Sequence, residues 1–155
     1  MFFCVSLFPS VSTFRNAKKQ ERPPFFKVVF MESYVNQGEQ LVVALYVRDI
    51  KKSSEFYWSY GFEVIRDEGT FMELKWEDAR LFLSEIPGTP PPPPNPIGNM
   101  RVMVPDVDKY WHLANEKGAT VLSPLDDRYY GLRDFIIAGP DGLALRFATW
   151  LKDLR

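Results

Sequence analysis

The second half of this sequence repeats the first. At an offset of 57 residues Val47 matches Val104, Asp49 matches Asp106, Ile50 matches Val107, Gly61 matches Gly118 and Val64 matches Val121. A repeat of this length is one supersecondary unit used twice, so the chain is restricted to two like modules that share a core. Each copy opens with an alternating, strand-like run, Leu41 to Val47 or Asn99 to Val104, followed by an aspartate able to cap a helix. Each helix is short and ends at Gly61 or Gly118, where the left-handed conformation of a C-terminal cap is tolerated. Strand patterns follow over Phe62 to Arg66, Thr70 to Lys75 and Ala79 to Ser84, and in the second copy over Ala119 to Leu122, Leu132 to Ile137 and Leu143 to Thr149. Turn residues separate them, notably Asp67-Glu68-Gly69, Glu77-Asp78 and Gly139-Pro140-Asp141-Gly142. The order is βαβββ twice. Leu81 matches Leu145 at an offset of 64, so the second copy is seven residues longer, and the extra residues fall around Ser123 to Gly131.

Five consecutive prolines, Pro90 to Pro94, lie between the copies. Proline fixes its own φ and donates no hydrogen bond, which predicts an extended polyproline segment. It reads in two ways, as a semi-rigid linker joining the halves or as a docking site for a proline-recognising domain. The expected organisation is an N-terminal extension over residues 1–38, poorly ordered, a first module over 39–86, the proline-rich linker over 87–98, a second module over 99–151 and a tail over 152–155.

The formal charge of −1 sums two unlike parts: residues 1–30 carry five basic and one acidic side chain, the remainder fourteen and nineteen. The apolar stretch from Met1 to Phe14 precedes its cations, the reverse of a secretory signal, and is too short to span a bilayer. Its readings are a frayed extension, one translated from a start upstream of Met31, or an organelle leader. The near-neutral balance of the whole argues against nucleic acid as a partner, and no membrane partner is expected. One cysteine, Cys4, excludes an internal disulfide and a thiolate-rich metal site. One histidine excludes a multi-imidazole centre. That histidine, His112, lies between Asp108 and Glu116 on a charged helical stripe, where solvated surface is expected.

Val43-Ala44-Leu45-Tyr46-Val47-Arg48-Asp49, Glu55-Phe56-Tyr57, Tyr60-Gly61-Phe62-Glu63-Val64 and Gly139-Pro140-Asp141-Gly142-Leu143 together resemble the vicinal oxygen chelate superfamily, which holds glyoxalases, bleomycin-resistance proteins and ring-cleaving dioxygenases. The resemblance spans residues 41 to 150. It implies an α+β fold in which two βαβββ modules form a curved eight-stranded mixed sheet around a cavity, with helices outside. Most such proteins hold a divalent metal on the first and fourth strands of each module. Carried over one at a time, those positions are Val42, Phe82, Asn99 and Arg146. Valine and phenylalanine have no donor atom, arginine is a fixed cation, and one asparagine does not hold a divalent ion. No metal and no other cofactor is therefore expected. The metal-free pattern is most similar to bleomycin-resistance proteins, which sequester a ligand in the cytoplasm without transforming it. The resemblance also implies a homodimer.

Strand alternation puts Ala44 and Tyr46 on the face of Val42, and Arg101 and Met103 on the face of Asn99. Arg80, Phe82 and Ser84, with Ala144, Arg146 and Ala148, follow on the fourth strands. The inward arginines either pair with carboxylates such as Glu73 or Glu63 or grip an anionic ligand. In the insertion, Tyr130 and Arg133 make either a ligand-facing wall or a hairpin packed on a neighbouring subunit. The expected ligand-binding set is thus Tyr46, Arg80, Phe82, Asn99, Arg101, Met103, Tyr130, Arg133 and Arg146, and the expected ligand is a small molecule with an aromatic or carboxylate-bearing body. The alternatives are an enzyme of lyase, isomerase or dioxygenase type, through an unexpected metal or through Glu73 as general base, and a scaffold without a small ligand.

Overall fold

The structure, a computed structural model, describes Val35 and residues 37–154. The expectations for the basic leader and Cys4 lie outside the described residues. A short helix α1 (Gln37–Gln40) leads into β1 (Val43–Val47), α2 (Ile50–Ser59), β2 (Glu63–Asp67), β3 (Phe71–Trp76) and β4 (Ala79–Glu85). After the proline-rich segment come β5 (Gly98–Met103), α3 (Val107–Glu116), β6 (Val121–Asp127), β7 (Leu132–Ile137), β8 (Leu143–Trp150) and a 3-10 turn (Leu151–Asp153). The α+β architecture of two βαβββ units is present, but its eight strands are divided. They form two four-stranded mixed sheets, ordered β1-β4-β3-β2 and β5-β8-β7-β6. In each, the first strand pairs in parallel with the fourth and the other ladders are antiparallel. The eight-stranded sheet expected from the sequence is absent among the described residues because β1 and β5 each hydrogen-bond on one side only.

The repeat is visible in the register. Val43 stands opposite Leu81 and Met100 opposite Leu145, the same pair shifted by 57 and 64 residues. Val64 pairs with Leu74, whereas Val121 pairs with Ile137, 63 residues on. Six of the seven extra residues therefore fall between Val121 and Ile137, in agreement with the placement around Ser123 to Gly131, and the seventh falls in the turn before β8. The added segment is mostly strand, since β6 runs on through Asp127 with two register shifts. It holds Pro124, which an edge strand accommodates because its outer N–H groups have no ladder to join.

The capping aspartates do what their position suggests. Asp49 accepts from the Lys52 N–H at 3.0 Å and Asp106 from the Lys109 N–H at 3.2 Å. Gly61 at φ 107° and Gly118 at φ 65° follow the helix ends in the left-handed region. The helices cover one face of their sheets, and the leucines of β3 and β4 (Leu74, Leu81, Leu83) and Phe135, Ile137, Leu145 and Phe147 of β7 and β8 are buried beneath them. Tyr57 joins Tyr60 in the core because it extends the buried stripe Ile50, Ser53, Ser54 by one turn, while Trp58 is left exposed.

Aromatic rings close the seam between the modules. Tyr60 and Trp76 of the first meet Tyr110 and Phe147 of the second: Tyr110 stacks on Phe147 at 4.7 Å, Tyr60 lies 5.6 Å from Phe147, and Trp76 lies 6.0 Å from Tyr110. One apolar core thus runs through both units. Among the described residues no helix is long and apolar enough to cross a membrane.

Candidate functional site

A cleft of about 390 Å³ opens at this seam. The β3–β4 hairpin and the entry to β1 form one wall, and β5 forms the other. Phe62, Trp76, Met100 and Val102 supply apolar surface, extended outward by Leu41 and Val43. Four charged side chains line it: Glu77, Asp78, Arg80 and Arg101. They are not equivalent. Arg80 is committed, its Nε 3.2 Å from Glu73 Oε1 and its Nη1 donating to the Asp78 carbonyl. Arg101 is exposed and has no hydrogen-bond or ion-pair partner among the described residues. An apolar floor with one uncommitted guanidinium suits a ligand with an apolar or aromatic body and a carboxylate, which arginine binds in a bidentate fork.

Of the residues expected at the site, this cleft collects Arg80, Arg101 and Met103. Tyr46 and Phe82 stand on the uncovered face of the first sheet, Tyr46 69% exposed and Phe82 edge-on to Phe71 at 5.4 Å. Asn99 is exposed near the start of β5, opposite Ala144.

Tyr130 and Arg146 belong to a polar cluster on the second sheet whose centre is Asp134, a residue the sequence reading did not single out. Asp134 is buried on β7 and accepts from four groups: Arg128 Nε at 2.9 Å, the Tyr130 hydroxyl at 3.0 Å, Arg146 Nε at 3.1 Å, and Arg146 Nη2. Arg146 also donates to Tyr130 and lies over its ring. Burial opposes the charge on Asp134, but the bonds from Arg146, Arg128 and Tyr130 outweigh it and hold its pKa below the usual carboxylate range. The signal for Asp134 was the Gly139-Pro140-Asp141-Gly142 hairpin: with Ile136 opposite Arg146, alternation places Asp134 on the face of Arg146. Arg133, one residue away, points the other way. Its guanidinium binds Asp108 of α3 at 2.8 Å and Asp127 at 2.9 Å, so the structure does not bring it together with the other expected residues.

The family's metal positions are a poor donor set in three dimensions as well. Val42 and Phe82 offer no lone pair, Asn99 offers one amide, and Arg146 is bound to Asp134. Among the described residues no group of three or more His, Cys, Asp or Glu side chains is placed to hold an ion. His112 is exposed, and Glu73, considered as a base, is occupied by Arg80. One further carboxyl is unusual. Asp141 has its Oδ2 buried without a hydrogen-bond partner among the described residues, and burial raises its pKa against the weaker opposing effects of Ser53 and Lys52. Tyr57, beneath the same turn, is also pushed upward, first by burial and then by the charge of Asp141, which keeps its phenol protonated.

A family model described as Glyoxalase/Bleomycin resistance protein/Dioxygenase superfamily matches residues 40–147. Among solved structures, a glyoxalase/bleomycin resistance protein/dioxygenase from Nocardioides is 20% identical with a TM-score of 0.62, covering 76% of this chain and 87% of its own. TioX from Micromonospora sp. ML1 is 21% identical with a TM-score of 0.61, covering 74% and 100%. A bleomycin resistance determinant encoded on the transposon Tn5 is 20% identical with a TM-score of 0.58, covering 72% and 97%. At these identities the likeness is one of fold. No curated protein matches the chain.

Proposed function

Because the chain belongs to the Glyoxalase/Bleomycin resistance protein/Dioxygenase superfamily, we propose that it is a metal-independent binding protein that sequesters a small amphipathic molecule without transforming it. The observation that carries this reading is the fate of the family's four metal positions. Val42, Phe82 and Asn99 do not make a divalent site, and the guanidinium of Arg146 is tied to the buried Asp134. What remains is the seam cleft. Its apolar surface removes the ligand body from water against Trp76, Phe62 and Met100. Arg101 fixes orientation through the ligand's anionic group, at a cost of desolvation that stays low because the guanidinium is at the rim.

The protein works in the cytoplasm as a homodimer, the second copy covering the sheet faces that carry Tyr46 and Trp150, 69% and 44% exposed. Antibiotic resistance is the physiological use that fits this chemistry best, as drug capture needs affinity and no turnover.

A thermal-shift screen tests the reading. Purified protein treated with a chelator is melted with aromatic carboxylates, with their neutral amides, and with divalent metals alone. Stabilisation by the carboxylates and none by the metals is expected. A melting point that rises with metal, or ligand response only after metal is added, would favour a metalloenzyme.

A further inference from the structure

The proline run has a role that neither the cleft nor the seam explains. From Ile86 to Met100 the chain carries no charged residue, and its central prolines enter no helix or strand. Both ends are pinned. The Ile86 N–H donates to the Val47 carbonyl at 3.3 Å, with Thr89 closing a turn onto the Ile86 carbonyl through its N–H and hydroxyl at 3.1 and 2.8 Å, and the Ile97 N–H donates to the Gly142 carbonyl at 2.9 Å. In between, Pro93 sits on the β7–β8 turn so closely that a Cβ added at Gly142 would stand 2.8 Å from Pro93 Cδ. The strap is therefore held against the body on one side.

A polyproline II helix has three residues per turn, so over Pro90 to Pro94, before the bend at Pro94 and Asn95, Pro90 and Pro93 share a face and Pro91 and Pro94 share another. Pro93 and Pro92 are the prolines nearest Gly142, so the faces that carry them lie toward the β7–β8 turn and the face of Pro91 and Pro94 is the one left outward. All five prolines from Pro90 to Pro94 are exposed, Pro91 and Pro94 among them. Two prolines at this spacing on a restrained, outward-facing strap are the ligand form read by aromatic-lined grooves, which gain affinity because little conformational entropy is left to lose. Grooves that orient their ligand through an acidic pocket need a neighbouring cation, and the strap offers none between Glu85 and Arg101.

We propose that residues 89–96 are a docking strap for a protein domain with an uncharged, aromatic-lined polyproline groove of the WW type, Pro91 and Pro94 entering the groove. The site is separate from the seam cleft and independent of the ligand bound there.

The test is a titration of an isotope-labelled, polyproline-reading WW domain with the full chain, followed by NMR shifts. Saturable shifts confined to the aromatic groove are expected. Pro91→Ala combined with Pro94→Ala should weaken binding at least tenfold while leaving the melting temperature unchanged, which separates docking from folding. Absence of saturable shifts would overturn the proposal, as would a double variant that binds as well as the parent. Binding by a synthetic 86–98 peptide but not by the full chain would also overturn it, by showing that the body closes the strap.

Discussion

Arg101 and Arg146 stand opposite each other on adjacent parallel strands, two guanidinium groups on one sheet face. Such a pair is tolerated because Asp134 pairs with one member and shares Arg128 with Asp126, leaving Arg101 as the cleft's cation without a partner among the described residues. Removing the carboxylate strands the part-buried Arg146 and leaves Arg128 with Asp126, Ser123 and the Pro124 carbonyl, so Asp134→Ala should cost about 3 kcal/mol in chemical denaturation at neutral pH. The dependence on acid follows from the lowered pKa: the stabilisation is fully present above the unfolded value, roughly 3.9, and is lost as pH falls through the folded one. The gap between parent and variant should narrow in that range. Asp141 has the opposite sign. Its raised folded pKa means that stability is fully present below the unfolded value and lost as pH rises through the folded one. Asp141→Asn should therefore raise stability at pH 7 by about 1 kcal/mol, with the gain vanishing near pH 3 in paired melting curves. That Arg101 and Arg146 share a sheet face was legible from alternation alone. Which of them keeps a free charge was not, because that depends on a third strand, β7, whose register is set by a turn.

At the scale of elements, both helices were legible because each has an aspartate before it and a glycine after it, local signals that act within one turn. Asp49→Ala removes the side-chain acceptor at the start of α2 and should cost about 1 kcal/mol in urea denaturation. β6 was harder to read. Its edge position and two register shifts let it include Pro124 and run to Asp127, where composition alone suggested a loop. This extension brings Arg128 and Tyr130 over Asp134 and leaves Tyr129 fully exposed. The insertion thus built a cluster on the second sheet rather than a wall of the cleft.

For the whole molecule, the offset of 57 was enough to give two like units, since a repeat specifies its own architecture. The seam was not legible, because Tyr60, Trp76, Tyr110 and Phe147 read equally well as separate core residues of either half. Their packing joins the halves in one core, which predicts a single cooperative transition. Phe147→Ala should cost about 3–5 kcal/mol and shift a single melting transition downward in calorimetry, whereas two resolved transitions would mean that the modules unfold independently. The cleft sits at that same seam, so the proposed binding and the module packing are read by one side chain, Trp76. The most direct measurement is a fluorescence titration of chelator-treated protein with 3-phenylpropionate, with Trp76→Phe to assign the signal. A saturable change that Arg101→Ala weakens at least tenfold, and that added divalent metal leaves unaltered, is the predicted result. An absence of saturation, or saturation that appears only with metal, would contradict a metal-free binding cleft.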